Sequence, residues 1–308
     1  MTTRGHIDSF NMMVVGKYFN QIEDFMNVEM VNKKYEGMTK KYKYNPISLN
    51  YWRSWKIFSN IETQHIYNEE DEVLNEERIK RHIYWYRVSY KKYKENQREK
   101  EEYKMIEYTS TDRREYGDNI PECVNVIDKY CFQYCSSLSS ISIPSSVSMI
   151  GKYCFYECSS LISISIPSSV SMIGEWCFNG CNSLSTISIP SSVSVIGKSC
   201  FARCSSLSTI SIPSSVSKIG DGCFSGCYSL TNLVIDPQNE YYSYKNGVIF
   251  NKTKSVIVMY LCTNGRDSYS IPSSATEIGD SCFQECKSLT SISIPSSVSV
   301  IGNGCFSL

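Results

Sequence analysis

"SIPSSVSMIGK" (Ser142–Lys152) returns as "SIPSSVSMIGE" at Ser165–Glu175, as "SIPSSVSVIGK" from Ser188 and as "SIPSSVSKIGD" from Ser211. The phenylalanines Phe132, Phe155, Phe178, Phe201 and Phe224 keep the same beat, each 23 residues after the last, and Phe283 to Phe306 is one more such step. Self-similarity at a fixed period of this length is the signature of a solenoid, whose single turns cannot bury their inner faces alone. Pro121, Pro144, Pro167, Pro190, Pro213, Pro272 and Pro295 head the copies, the last of them cut short.

One unit reads I-P-S-S-V-S-x-I-G-x-x-C-F-x-x-C-x-S-L-x-x-I-x. The alternation Ile187-Ser188-Ile189 predicts a short strand with one face inward. Pro190 has no N–H to donate, so it ends that strand and turns the chain. Val193 and Ile196 point inward from the next leg, and Gly197 suits a turn of positive φ. Cys200, Phe201 and Cys204 then form an apolar corner. Stacked copies give one continuous core, with the core ladder running through Cys131, Phe132, Cys154, Phe155, Cys177, Phe178, Cys200, Phe201, Cys223, Phe224, Cys282 and Phe283.

These residues carry a resemblance. L-x-x-I-x-I-P, V-x-x-I-G and C-F-x-x-C at this period resemble the BspA-like leucine-rich repeat from Ile120 to Leu308. Where that family usually has Ala before the Phe, this chain has Cys, and Asp128 replaces the turn glycine of the first copy. The resemblance implies an α/β solenoid of short parallel strands, a protein-binding scaffold and, in several relatives, surface adhesion.

Between Phe224 and Phe283 the period breaks. Asn246-Gly247 and Asn251–Lys254 are turn signals, and Val248–Phe250 and Ser255–Tyr260 read as hairpin strands. The insertion spans about residues 236–271. Its Tyr241, Tyr242 and Tyr244 either cover the hairpin's own seam or anchor a partner. Outward strand positions carry serine or threonine, such as Ser163/Ser165 and Thr186/Ser188; stacked, they form hydroxyl ladders that are either merely soluble or able to bind glycans or ice. Specificity is expected where repeats differ: Trp176, Arg203, Tyr228, Asn232, Val234 and the tyrosines.

Before Ile120, Tyr, Trp, Lys and Glu replace serine. Residues 1–60 read as a helical cap, with two helices within Asp8–Met38; Asp8 or Ser9 caps the first and Asp24 starts the second. Residues 61–119 read as a charged connector holding one degenerate repeat, with Gln64 at an inward position. The first segment resembles an F-box-like motif: Val14, Val15 and Tyr18-Phe19 stand in its apolar first helix, and Asp24, Phe25, Val28, Val31 and Lys34-Tyr35 follow its later run. No Leu-Pro opens it, and Tyr35 stands where Trp or Phe is frequent. The resemblance implies docking of a Skp1-type ubiquitin-ligase adaptor through Val14, Val15, Phe19, Phe25 and Val28. The alternative is a cap that shields the first repeat.

Lys+Arg and Asp+Glu each number 31, which leaves no basic excess for nucleic acid or an anionic membrane. No apolar run reaches the roughly 20 residues of a membrane span, and no signal peptide is evident, so the default location is the cytoplasm, with the cell surface reached only by an unconventional route. Phosphate-loop, metalloprotease and nucleophile-elbow motifs are absent, and His6, His65 and His82 all precede the repeats, so no enzyme and no cofactor are expected. The 15 cysteines share the core's period, apart from Cys123 and Cys262. They read as buried thiols in preference to zinc ligands, with disulfides open to neighbouring rungs in an oxidising place. The expected partner is a protein, with self-association through the last, uncapped repeat as a further possibility.

Overall fold

The computed structural model describes residues 7–49, 56–263 and 267–307. Its chain divides into two compact units, residues 1–106 and 107–308, a boundary earlier than the Ile120 suggested by the repeats.

In the first unit, helix α1 (Ser9–Gly16) is capped by Asp8, whose carboxylate accepts the Asn11 N–H at 2.7 Å. Helix α2 spans Ile22–Val31 and so starts before Asp24; that aspartate lies in its first turn and accepts from the Gln21 N–H at 3.3 Å. Phe25, Tyr42 and Phe58 meet edge to face at 5.2–5.9 Å and centre a core with Met38, Leu49 and Ile61. Such edge contacts suit the ring quadrupole. Strand β1 (Thr63–Ile66) pairs in parallel with β2 (Arg81–Ser89) within the charged stretch 61–119. Gln64, fully buried in β1, is satisfied there: its amide donates to the Glu72 carbonyl and accepts from the Leu74 N–H. Helix α3 (Tyr90–Glu95) then leads to strand β3 (Glu101–Tyr108), whose last two residues belong to the second unit.

The second unit is the solenoid, with helix α4 (Ser110–Tyr116) ahead of the repeats. Each turn adds a rung to two parallel ladders. One runs from Glu107-Tyr108 through Val126-Ile127, Met149-Ile150, Met172-Ile173 and Val195-Ile196 to Lys218-Ile219. The other joins Ser140–Ser142, Ser163–Ser165, Thr186–Ser188, Thr209–Ile212 and Asn232–Ile235. At the corner, the phenylalanines from Phe132 to Phe224 stack at 5.2–5.7 Å, with ring planes within 15° of parallel.

Three repeated polar bonds explain why the sequence repeats so closely. The second cysteine of each corner donates its S–H to the preceding rung's Phe carbonyl: Cys158 to Phe132, Cys181 to Phe155, Cys204 to Phe178 and Cys227 to Phe201, at 3.0–3.2 Å. The second serine of P-S-S-V donates to the preceding rung's valine carbonyl, as Ser169, Ser192 and Ser215 do at 2.6–2.7 Å. The serine after that valine bonds the backbone one rung back, as Ser194 and Ser217 do. Most of the repeated serines inside I-P-S-S-V-S are therefore framework. The serine before each valine gives that neighbouring valine carbonyl a hydroxyl donor, and the serine after it adds a second bond to a carbonyl that already accepts a backbone N–H.

The glycine column corrects its expected role. Gly197 is not in the positive-φ region; a Cβ there would lie 2.4 Å from the Glu175 nitrogen and 2.6 Å from the Gly174 carbonyl carbon. Glycine is required because successive rungs touch backbone to backbone. The left-handed positions lie on either side of C-F: Tyr130, Tyr153, Trp176, Ser199 and Ser281 two residues before the phenylalanine, and Tyr134, Glu157, Arg203 and Glu285 two after it. Gly222 and Gly304 take the first position in other repeats, and Gly180 and Gly226 the second.

The insertion is a three-stranded antiparallel meander, Tyr242–Lys245, Val248–Asn251 and Val256–Tyr260, turning at Asn246-Gly247 and at 252–255. Its last strand pairs in parallel with Glu277-Ile278 and restarts the ladder. Tyr260 takes the phenylalanine's place, stacked on Phe283 at 5.1 Å. Buried Asn239 pins the insertion: its amide donates to the Pro213 and Val216 carbonyls and accepts from the N–H groups of Tyr241 and Tyr242.

Candidate functional site

The residues expected to carry specificity fall into two groups in the solenoid. The first lies on the outer side of the C-F corner. Trp176, half-buried, stacks on Tyr153 at 5.9 Å with planes 6° apart, and Tyr153 stacks on Tyr130 at 5.1 Å. Three left-handed positions that glycine would fill at less cost thus carry large rings instead. One rung further, Arg203 reaches across Gly226, where a Cβ would touch its side chain at 3.4 Å, and bonds Glu285 at 2.8 Å. Tyr228 donates to the other oxygen of Glu285 at 3.4 Å, and Lys287 pairs with that oxygen at 2.9 Å. Lys287 first, then Arg203, hold the Glu285 carboxyl below its ordinary range. Trp176, Arg203, Glu285, Gln284 and Tyr156 border a cavity of about 200 Å³ floored by Asn179, Ala202 and Ser225.

The second group lies where the outward ladder meets the insertion. Asn232, exposed, donates to the Thr209 hydroxyl, and Val234, exposed, ends the file Ser142, Ser165, Ser188, Ser211. Val234, Tyr242 and Tyr244 share a groove of about 340 Å³ with Lys252. Tyr242 also serves the framework, since its hydroxyl accepts the Ile219 N–H at 3.0 Å and donates to the Ser217 carbonyl, closing the free end of the first ladder. Burial raises its phenol. Tyr241 stays exposed.

Among the N-terminal candidates, Val14 and Val15 are exposed, and Phe19 and Val28 are half-buried against the core. Phe25 is wholly buried, so a partner cannot touch it while the unit is folded. That corrects its assignment to a docking face: Phe25 is the ring around which Phe19, Tyr42 and Phe58 pack.

Chemistry is muted elsewhere. Burial pushes the thiols of Cys181 and Cys223 up to about 12 and raises those of Cys154, Cys177, Cys200 and Cys204. Protonated thiols are poor nucleophiles and poor metal ligands. Among the described residues, no three His, Cys, Asp or Glu side chains converge as a metal site. His82 has both ring nitrogens engaged, Nδ1 with Glu101 and Nε2 with the Leu74 carbonyl, each at 3.0 Å. One lattice cysteine departs from the thiol pattern: Cys286 is bridged to Cys262, with Cα atoms 5.1 Å apart. Among the described residues, no helix is long and apolar enough to cross a membrane.

Sequence reading missed Tyr130, Tyr153, Glu285 and Gln284 as neighbours of the first group, and Asn239 as the pin of the second. A signal for the former was present: Gly222, Gly304, Gly180 and Gly226 in the same repeat columns mark those columns as left-handed.

The pattern of the BspA type leucine rich repeat region matches residues 125–256 and 258–308, in six copies. No curated protein sequence matches the chain. Among solved structures, a leucine-rich repeat protein from Eubacterium ventriosum is 22% identical, with a TM-score of 0.50 over 59% of this chain and 56% of its own. The pneumococcal vaccine antigen PcpA is 21% identical, with a TM-score of 0.47 over 66% of this chain and 48% of its own. A leucine rich cell surface protein from Faecalibacterium prausnitzii is 25% identical, with a TM-score of 0.37 over 59% of this chain and 62% of its own. The chain thus spans about half to three-fifths of the length of these three proteins. With its repeats matched over more than half its residues, it belongs to the BspA-type leucine-rich repeat family.

Proposed function

We propose that the chain is a non-enzymatic scaffold that binds a protein partner through the places where its repeats differ. The observation that carries this reading is the convergence of Trp176, Arg203 and Tyr228, from three separate rungs, beside one cavity and one buried carboxylate. Repeated positions hold the stack, and three of the varied positions, Trp176, Arg203 and Tyr228, lie on the outer side of one corner. Aromatic and arginine side chains are the types that anchor interfaces. Adhesion is the form of this reading in which the partner lies on a cell surface. The test is crosslinked capture with the full chain from intact, surface-labelled cells, read by mass spectrometry. Crosslinks clustered on the rungs of Trp176, Arg203 and Tyr228 support the scaffold, and a label on the partner supports adhesion. A partner crosslinked only through the serine strands, or none at all, would overturn it.

A second reading has its own observation. Val14, Val15, Met26, Met30 and Val31 are exposed on or beside α1 and α2. Such a patch suits docking of an adaptor of the Skp1 type, with the repeats choosing the substrate. Val15→Asp and Val31→Asp should each abolish adaptor capture while the helical signal persists; retained capture by both would sink this reading.

A further inference from the structure

The ring file Tyr130, Tyr153, Trp176 stops abruptly. The next two members of the same column are Ser199 and Gly222, both left-handed. The neighbouring column thins at the same rungs, to Ala202 and Ser225, between Asn179 on one side and Gln284 on the other. What remains is the cavity of about 200 Å³. Trp176 walls one end. Its indole stacks on Tyr153 through one face, and no other ring of the described residues lies against it. Gln284 closes the other end, its amide oxygen 2.8 Å from where a Cβ on Gly222 would stand. Arg203, held by Glu285, flanks the mouth.

Resting on the scaffold reading, we propose that this notch receives one tyrosine or tryptophan side chain of the protein partner, stacked on Trp176 as the next ring of the file. The dimensions fit. A cavity of about 150 Å³ accommodates benzene, so this one holds a single aromatic ring and little more. Successive rings of the file stand 5.1 and 5.9 Å apart, so a guest ring above Ser199, one rung on, continues the stack. The lining selects an aromatic ring with a polar edge over an aliphatic chain: Asn179, Ser199, Ser225 and Gln284 offer amide and hydroxyl groups along floor and walls. Asn179 already donates to the Ser199 carbonyl and Ser225 to the Gln284 amide oxygen, both at a long 3.5 Å; a tyrosine hydroxyl or indole N–H entering here adds a shorter bond, and an aliphatic guest excludes water from these groups without replacing it. Exposed Arg203 and Tyr228 beside the mouth extend the contact to the partner's flanking residues.

The test uses the full chain and N-acetyl-tyrosinamide, a blocked residue with the chemistry of a side chain within a peptide. Indole N–H resonances of the four tryptophans are followed by NMR, Trp176 being assigned from Trp176→Phe. A fragment of this size should bind at about millimolar Kd, move the Trp176 resonance and leave the other three in place. N-acetyl-leucinamide should move none. Ser199→Tyr fills the notch from within, using a side chain that Tyr130 and Tyr153 already carry at the same φ, and should abolish the shift. Should that variant misfold, Ser225→Leu narrows the floor instead and should weaken binding. No shift of Trp176, an undiminished shift in folded Ser199→Tyr, equal binding of the leucine probe, or tighter binding of free tyrosine than of the blocked residue each overturns the proposal. Failure here is separable from failure of the scaffold: a partner captured equally by wild type and Ser199→Tyr leaves the scaffold standing without the notch.

Discussion

Gly197→Ala and Ser199→Gly, two residues apart, should change stability in opposite directions. In Gly197→Ala the new Cβ would sit 2.4 Å from the Glu175 nitrogen, against an ordinary contact of about 3.5 Å. Neither side can yield, because both are main chain. Relief requires adjacent rungs to part by about 1 Å on a spacing of about 4.8 Å. That stretches the Gly197 N–H bond to the Ile173 carbonyl from 3.0 Å well past bonding range. Overpacking costs about 1–3 kcal/mol, and the rung bond adds about 1 kcal/mol. The stiffer unfolded chain offsets about 0.4–1 kcal/mol. The net expectation is a loss of about 1–3.5 kcal/mol. Ser199→Gly removes a side chain from a left-handed residue of φ 49°, recovering about 1–2 kcal/mol and losing about 0.4–1 kcal/mol to unfolded-state freedom. It should be neutral or stabilising by about 1 kcal/mol. Urea unfolding of the full chain, followed by far-ultraviolet circular dichroism, measures both. A Gly197→Ala midpoint equal to wild type, or a Ser199→Gly loss as large as that of Gly197→Ala, would refute the assignment of close approach to one column and left-handed strain to the other.

Asn239→Ala should destabilise by about 2–3 kcal/mol, since it removes the side-chain partner of the Val216 carbonyl and of two N–H groups, while the Pro213 carbonyl keeps the Val216 N–H; hydrogen exchange should show Tyr241 and Tyr242 amides deprotected first. Reduction of Cys262–Cys286, which closes a loop with a sequence separation of 24, should cost up to about 3–4 kcal/mol, visible as a lower unfolding midpoint in dithiothreitol that Cys262→Ser reproduces. His65 stacks on Tyr44 at 4.6 Å, and burial, with Lys104 adding, lowers its imidazole to about 4. The folded state therefore keeps it neutral while the unfolded chain takes up a proton from about pH 6.5 downward. Its contribution is present above that pH and is lost as pH falls toward 4, by about 1 kcal/mol after allowing for solvent screening of a half-buried ring. Urea midpoints measured across that window should converge less in His65→Phe; an unchanged pH dependence would contradict this.

The repeat was legible because a stacked core must recur with its rungs. Phe178 cannot pack on Phe155 and Phe201 unless both lie one period away, so the period is the contact. Glycine was harder to read. Gly197 and Gly222 are the same letter, but one is demanded by a neighbouring backbone and the other by its own φ, and only placement tells them apart. The insertion's strands showed in their turns, but Asn239 did not, because a side-chain pin has no period and the two carbonyls it binds lie in the preceding repeat. Phe25 was assigned to an exposed face because helical spacing marks an apolar residue without saying which side is covered. The notch left its trace only as a shortening of side chains at Ser199, Ala202, Gly222 and Ser225, which reads as monotony until the columns are stacked.

On the proposed scaffold reading, repeated positions hold the solenoid and varied positions bind. Crosslinked capture compared between the wild-type chain and Trp176→Ser/Arg203→Ala/Tyr228→Ser tests that division most directly, with circular dichroism as a check on folding. The expected result is an intact fold and loss of the partner. A partner retained by the folded triple variant, and lost instead when the outward serines Ser163, Ser165, Ser188 and Ser211 are changed to tyrosine, would contradict it.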